Sequence, residues 1–148
     1  MIQHIDVHAV LQESVSGIYT DLVTRPTGRV VRECIERAMA TAAAAEVAVA
    51  RIDFTGVGCI DYSCADEIVA KLLRSLSGVL VLMGISDGHR EAIEPVLAGH
   101  RLAVLIERPD GTLEAVGAPD AAAALLDDLV ARRLAARMPG GTLALTLA

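Results

Sequence analysis

Residues 51–76, RIDFTGVGCIDYSCADEIVAKLLRSL, change periodicity partway along, and this switch limits the chain's choice of fold. Ile52 and Phe54 are apolar and strand-favouring, and Val47 and Val49 precede them. The run breaks at Gly56 and Gly58, where strand pairing ends and backbone freedom is needed. After Asp61-Tyr62-Ser63, the residues Ala65, Ile68, Val69, Leu72, Leu73 and Leu76 recur at helical spacing. Asp66, Glu67, Lys71 and Arg74 take the other side. Ser63 stands before the helix with Asp66 three residues on, a capping-box pattern in which the Ser63 hydroxyl accepts from the Asp66 N–H.

Strands and helices alternate elsewhere too. Residues 1–11 alternate weakly and read as a short edge strand, and 15–23 as a second strand with Gly17 as a bulge. Pro26 opens a helix whose stripe is Val30, Val31, Cys34, Ile35, Ala38, Met39 and Ala42. Arg29, Arg32, Glu33, Glu36 and Arg37 form its solvated face, and Glu33 and Arg37 are spaced for an ion pair. Arg25, Arg29 and Arg32 beside Gly28 lack the P-loop pattern and read as a solvated helix start. Val79–Met83, VLVLM, is apolar on both faces, as in a central parallel strand covered on each side.

Ser86 or Asp87 can cap a helix near 90–98, limited or kinked by Pro95, with His89 exposed and Gly99-His100 at its end. LAVLIE at 102–107 reads as a strand. Arg108-Pro109-Asp110-Gly111 is a turn, and 112–116 pairs back. The last helix opens at Pro119 and carries Leu125, Leu126, Leu129, Val130, Leu134 and Met138 until Pro139-Gly140-Gly141. Asp127 and Asp128 come early in it, and Arg132, Arg133 and Arg137 late, complementing the helix dipole. The tail, 139–148, fits a strand, a partner-binding segment or disorder. The alternation argues for one α/β layered domain over 1–148 with a mixed, partly parallel sheet and helices mainly on one side; 1–45 forms a strand–helix extension.

The turn at 61–67 resembles a known family. The residues Asp53-Phe54-Thr55-Gly56-Val57, then Ile60-Asp61-x-Ser63, then an amphipathic helix, resemble STAS domains, the bacterial anti-sigma-factor antagonists. The run Ser63-Cys64-Ala65-Asp66-Glu67-Ile68 is similar to a STAS-like subfamily with Phe-Ala-Asp-Glu at that turn, and the 1–45 unit resembles what precedes its core. Tyr62 stands where Ser or Thr is usual, and Cys64 where a small Gly is usual. The resemblance implies a non-enzymatic regulatory module in bacterial signal transduction and transcription control. Its implied partner is an anti-sigma factor or a histidine-kinase-like ATPase, and its implied phosphorylation site is Ser63. The partner-binding residues are then Asp61, Tyr62, Ser63, Cys64, Asp66 and Glu67. No cofactor is implied.

Two other readings remain. A small-molecule or nucleotide sensor would place its ligand at the strand C-terminal ends, on loops carrying Gly56, Gly58, Ser86, Asp87 and His89. A hydrolase would need Ser63 or Cys64 next to a base, but Asp61-Tyr62-Ser63-Cys64-Ala65 lacks the nucleophile-elbow glycines and no His is tied to it by spacing.

Composition narrows the field. The net charge of −6, without a basic run, removes the positive face that nucleic acid requires. With no Trp, one Phe and two Tyr, base-stacking platforms are not expected. Hydrophobic residues make up 53%, much of it alanine, and the longest dense apolar run, 79–85, is too short to cross a bilayer. The N-terminus lacks signal-peptide features, so a cytoplasmic location is expected. Cys34 and Cys59 read as small core residues, while Cys64 at a helix N-terminus would favour its thiolate. His4 and His8 would pair on a helix as metal ligands, but no third ligand accompanies them and no metal is expected.

Overall fold

A computed structural model describes residues 2–14, 20–42, 49–75 and 78–146. The elements run β1 (Ile2–Asp6), α1 (Val7–Ser14), α2 (Arg25–Ala42), β2 (Val49–Asp53), α3 (Tyr62–Ala65), a π-helical turn (Asp66–Ala70) and α4 (Lys71–Ser75). They continue with β3 (Val79–Met83), α5 (Asp87–Gly99), β4 (Ala103–Glu107), β5 (Thr112–Gly117), α6 (Pro119–Ala131), β6 (Ala135–Arg137) and β7 (Leu143–Leu145).

These strands form one seven-stranded mixed sheet, ordered β1-β2-β3-β4-β5-β7-β6. The first four are parallel because a helical crossover separates each from the next. In that consecutive order, right-handed crossovers place their helices on one face of the sheet. Val31, Ile35, Ile68, Leu72, Ile93 and Leu97 accordingly pack with Ile52, Leu80 and Leu82 in the larger core. The turn at 108–111 is too short for a crossover, so β5 returns antiparallel to β4, with Gly111 at φ 86°. Helix α6 covers the other face, where Leu129 packs with Val79, Val81 and Leu105. Alternate residues of β3 therefore enter opposite cores, and the strand is central and parallel as its composition requires.

Several boundaries differ from those expected. His4 lies on β1 and His8 on α1, so the two are not on one helix. Of the strand read at 15–23, residues 15–19 lie outside the described residues, and at 20–23 only an isolated bridge joins Leu22 to Ile60. Pro95 sits inside α5 without ending it. The last helix stops at Ala131, so Leu134, Met138 and the late arginines are not part of it. Arg133 takes a left-handed φ of 59°, Leu134 N–H donates to the Leu129 carbonyl and Arg133 N–H to that of Val130. This is a Schellman cap with arginine where glycine is usual. Arg101, at φ 58°, closes α5 the same way: Leu102 N–H donates to Leu97 and Arg101 N–H to Ala98. Beyond α6, residues 138–141 form a hairpin turn instead of a helix end, and part of the tail is strand β7.

Candidate functional site

Asp61 organises the turn before α3. Its backbone is extended, φ −92° and ψ 172°, and its Oδ1 accepts from the Cys64 N–H at 2.8 Å. Asp61, and not Ser63, is thus the N-cap; Ser63 lies one residue inside the helix and donates its hydroxyl to the same Oδ1 at 2.8 Å. The other oxygen, Oδ2, accepts from the Thr24 N–H at 2.9 Å. Burial alone would raise the Asp61 carboxyl, but the backbone N–H groups of Cys64 and Thr24 and the Ser63 hydroxyl outweigh it and hold the carboxyl below its usual range.

Residues 20–24 are laced along this turn. Gly58 N–H donates to the Thr20 carbonyl, Leu22 N–H to that of Cys59, and Asp61 N–H to that of Leu22. Asp21 accepts from the Cys59 N–H at 2.8 Å. A Cβ on Gly58 would push the Asp21 carboxylate off its bond to the Cys59 N–H, so the glycine lets that carboxylate lie close against the turn. Gly56 has a left-handed φ of 89° and faces His8.

The residues expected at a partner surface separate by depth. Tyr62 is 63% exposed, while Asp61, Ser63 and Asp66 are partly exposed. Tyr62, Ser63, Asp66, Arg25, Val96 and His100 line an open hollow of about 570 Å³ between α3 and α5. Cys64 and Glu67 are wholly buried and present nothing to a partner, which corrects their expected placement. Burial, with Asp61 nearby, pushes the Cys64 thiol up to about 12, so its helix-start position does not produce a thiolate. Cys59 is exposed and Cys34 half-buried, so neither is the core residue expected.

Glu67 was expected on the solvated side of its helix. Instead it sits in the π-helical turn, where Lys71 N–H donates five residues back to the Asp66 carbonyl. Arg25 reaches its carboxylate at 2.9 Å, Lys71 at 2.8 Å and Arg32 at 3.2 Å. Arg25 also binds Asp66 at 2.8 Å, and His100 Nε2 lies 2.9 Å from the other Asp66 oxygen. Arg25 and Arg32 are therefore clamped to the next helix rather than merely solvated. Burial would raise Glu67, but hydrogen bonds from Lys71, Arg25 and Arg32 overcome it and keep the carboxyl low. Asp66 is likewise low: burial acts upward, and Arg25 and His100 outweigh it.

A second concavity, about 510 Å³, opens at the C-terminal ends of β2, β3 and β4. Ser86 and Asp87 line it, whereas Gly56, Gly58 and His89 do not. His89 is buried, contrary to expectation. Its Nδ1 accepts from the Ser86 N–H at 3.1 Å, the Ser86 hydroxyl accepts from the His89 N–H, and its Nε2 is 2.7 Å from the Gly58 carbonyl. His89 thus takes the place that Glu or Gln holds in a capping box, and its ring packs 5.9 Å from that of Phe54.

The cleft is walled by charged residues that no local pattern announces. Arg51 meets Glu107 across 56 residues of sequence, and Glu114 meets Arg90 across 24. Among the described residues, no group of three or more His, Cys, Asp or Glu side chains is disposed to hold a metal ion. No helix of the described residues is long and apolar enough to cross a membrane. No family model, curated protein or solved structure matches the chain.

Proposed function

We propose that this protein is a non-enzymatic regulatory module that binds another protein through the face formed by Tyr62, Ser63 and Asp66. The observation that carries this reading is Tyr62. At 63% exposure it is the most exposed of the large hydrophobic side chains described, and it stands on the rim of an open hollow. Exposed tyrosines beside a concavity are frequent anchors of protein interfaces, since the ring brings apolar area at low entropic cost. The resemblance to STAS domains suggests an anti-sigma factor or a histidine-kinase-like ATPase as the partner.

In this reading Ser63 carries the control. Its hydroxyl now donates to Asp61. A phosphate there could no longer donate and would bring about −1.5 to −2 charges beside Asp61 and Asp66. Arg25 and His100 line the same hollow, but both already engage Asp66. The added charge therefore opposes docking unless the partner supplies a cation.

The test uses the purified full chain with a histidine-kinase-like ATPase and ATP, read by intact mass and by equilibrium binding. One phosphoryl group is expected on the wild type and none on Ser63→Ala. Tyr62→Ala should keep its fold and lose at least about tenfold in affinity, roughly 1.4 kcal/mol. Equal labelling of Ser63→Ala together with unchanged binding of Tyr62→Ala would defeat the reading.

A further inference from the structure

We infer that a phosphate on Ser63 unlatches residues 20–24 from the 57–61 turn and exposes Leu22, a consequence that rests on the reading of Ser63 proposed above. Residues 20–24 lie across that turn as a strap. Thr20, Asp21, Val23 and Thr24 are exposed, and Leu22 alone is buried, in the larger core with Ile60. The strap is otherwise held by polar contacts. Gly58 N–H donates to the Thr20 carbonyl at 2.7 Å, Leu22 N–H to that of Cys59 at 2.7 Å, and Asp61 N–H to that of Leu22 at 3.0 Å. Asp21 accepts from the Cys59 N–H. A segment with one buried side chain and hydrogen bonds at the solvent edge belongs to the parts of a fold that open locally, well short of global unfolding.

Thr24 is the hinge. Its φ is 70°, and a β-branched residue in the left-handed region is strained. Its carbonyl accepts from the Gly28 N–H at 3.2 Å and the Cys64 thiol at 3.1 Å, which fixes that half of the residue to α2 and α3. Its N–H donates to Asp61 Oδ2 at 2.9 Å. The angle φ turns about the bond between these two halves, so its relaxation swings residues 20–23 off the turn. Such strain persists only while the surrounding contacts hold it.

Asp61 is the latch, and it is shared with Ser63. Oδ2 takes the Thr24 N–H, while Oδ1 takes the Ser63 hydroxyl and the Cys64 N–H, each at 2.8 Å. A phosphate on Ser63 removes the hydroxyl proton and sets a second anion against this carboxylate, close enough for strong repulsion. The nearby cations Arg25 and His100 are committed to Asp66. Asp61 turns from the phosphate, Thr24 loses its acceptor, and the strained φ relaxes. The unmodified chain seals Leu22, and the modified chain presents it beside Val23, which is already exposed.

The experiment compares full chains carrying serine or phosphoserine at position 63, the latter incorporated during translation. No kinase is used, so a failure of kinase labelling is a separate result. Amide hydrogen exchange is followed by two-dimensional NMR at Leu22, Thr24, Gly58 and Asp61, with Val81 and Leu105 of the central strands as controls. Phosphoserine is expected to cut protection at the strap and turn amides at least about tenfold while Val81 and Leu105 keep theirs. Asp61→Asn keeps an oxygen for the Cys64 N–H but turns an N–H toward Thr24, and should open the strap to a similar extent without phosphate. Thr24→Asn, which tolerates the left-handed backbone, should act in the opposite direction and raise protection about threefold. Protection unchanged by phosphoserine would place the phosphate in the hollow with the latch shut, and overturns the inference. So does an equal loss at Val81 and Leu105, or an Asp61→Asn chain whose strap stays closed.

Discussion

Two carboxylates in this molecule do the same chemistry at different depths. Glu67 gathers Arg25, Arg32 and Lys71 and is wholly buried between α2 and the π-helical turn. Glu114 gathers Arg90 and Arg108 with its side chain 29% exposed, on the wall of a cleft. Around Glu67 little water can replace a lost partner, so the cluster acts as a clamp between helices. Around Glu114 water is at hand, and its cations can exchange partners at low cost. Depth, more than the number of ion pairs, separates a sealed cluster from a solvent-screened one.

The contrast can be broken by removing each charge in turn. The largest effect is expected from Glu67→Gln, which keeps the shape and leaves Arg32 facing a neutral amide. It should cost about 3 kcal/mol in chemical denaturation, at the lower end for a broken buried pair because Arg25 and Lys71 can reach water. A loss under about 1 kcal/mol would show that Glu67 is no clamp.

Acid should act next. Asp61, Asp66, Glu67 and Glu114 all sit below their ordinary values of 3.8 and 4.5. For Glu114 the Arg90 hydrogen bonds lead, burial opposes them, and the charges of Arg90 and Arg108 add to the lowering. Between the folded and unfolded pKa values the unfolded chain binds more protons, so stability rises with pH there. These groups contribute fully above about pH 5, and their contribution drains away as pH falls through the ordinary values toward the folded ones. Thermal melts from pH 7 to pH 3 should show that decline, and Glu67→Gln should flatten it. An unchanged slope in the variant would assign the acid sensitivity to the other carboxylates.

The smallest effect is expected at the exposed cluster. Glu114→Gln should cost about 1 kcal/mol or less, and the remainder should shrink further in high salt. A loss matching that of Glu67→Gln would erase the distinction between the two clusters.

Much of the fold was readable because its signals are local. The switch from period two to helical period at 51–76, the doubly apolar 79–83 run and the Pro-Asp-Gly turn each depend on residues within a few positions. The end of α6 was not readable, because Leu134 and Met138 continue the helical stripe and Arg133 gives no sign of a left-handed cap. Of the candidate site, the turn from Asp61 to Ser63 was found, but the capping role was placed on Ser63, two residues late. Both residues are good caps, and only backbone geometry shows which one is extended. Glu67 is not readable as buried because helical periodicity carries no sign of the second helix that covers it: α2 brings Gly28 against the Glu67 Cβ and Arg25 and Arg32 onto its carboxylate.

By itself, then, the sequence determined the layered α/β order, the parallel character of β3 and the strand-to-helix turn that bears Asp61, Tyr62 and Ser63. Those follow from propensity and periodicity, which act over a few residues. Only the tertiary structure decided which charges are sealed and which are open: Glu67 against Arg25 and Arg32, Glu107 against Arg51, Glu114 against Arg90. Such pairs join residues 24 to 56 positions apart, and the energy of a charge depends on the water around it, which is fixed only when the layers close.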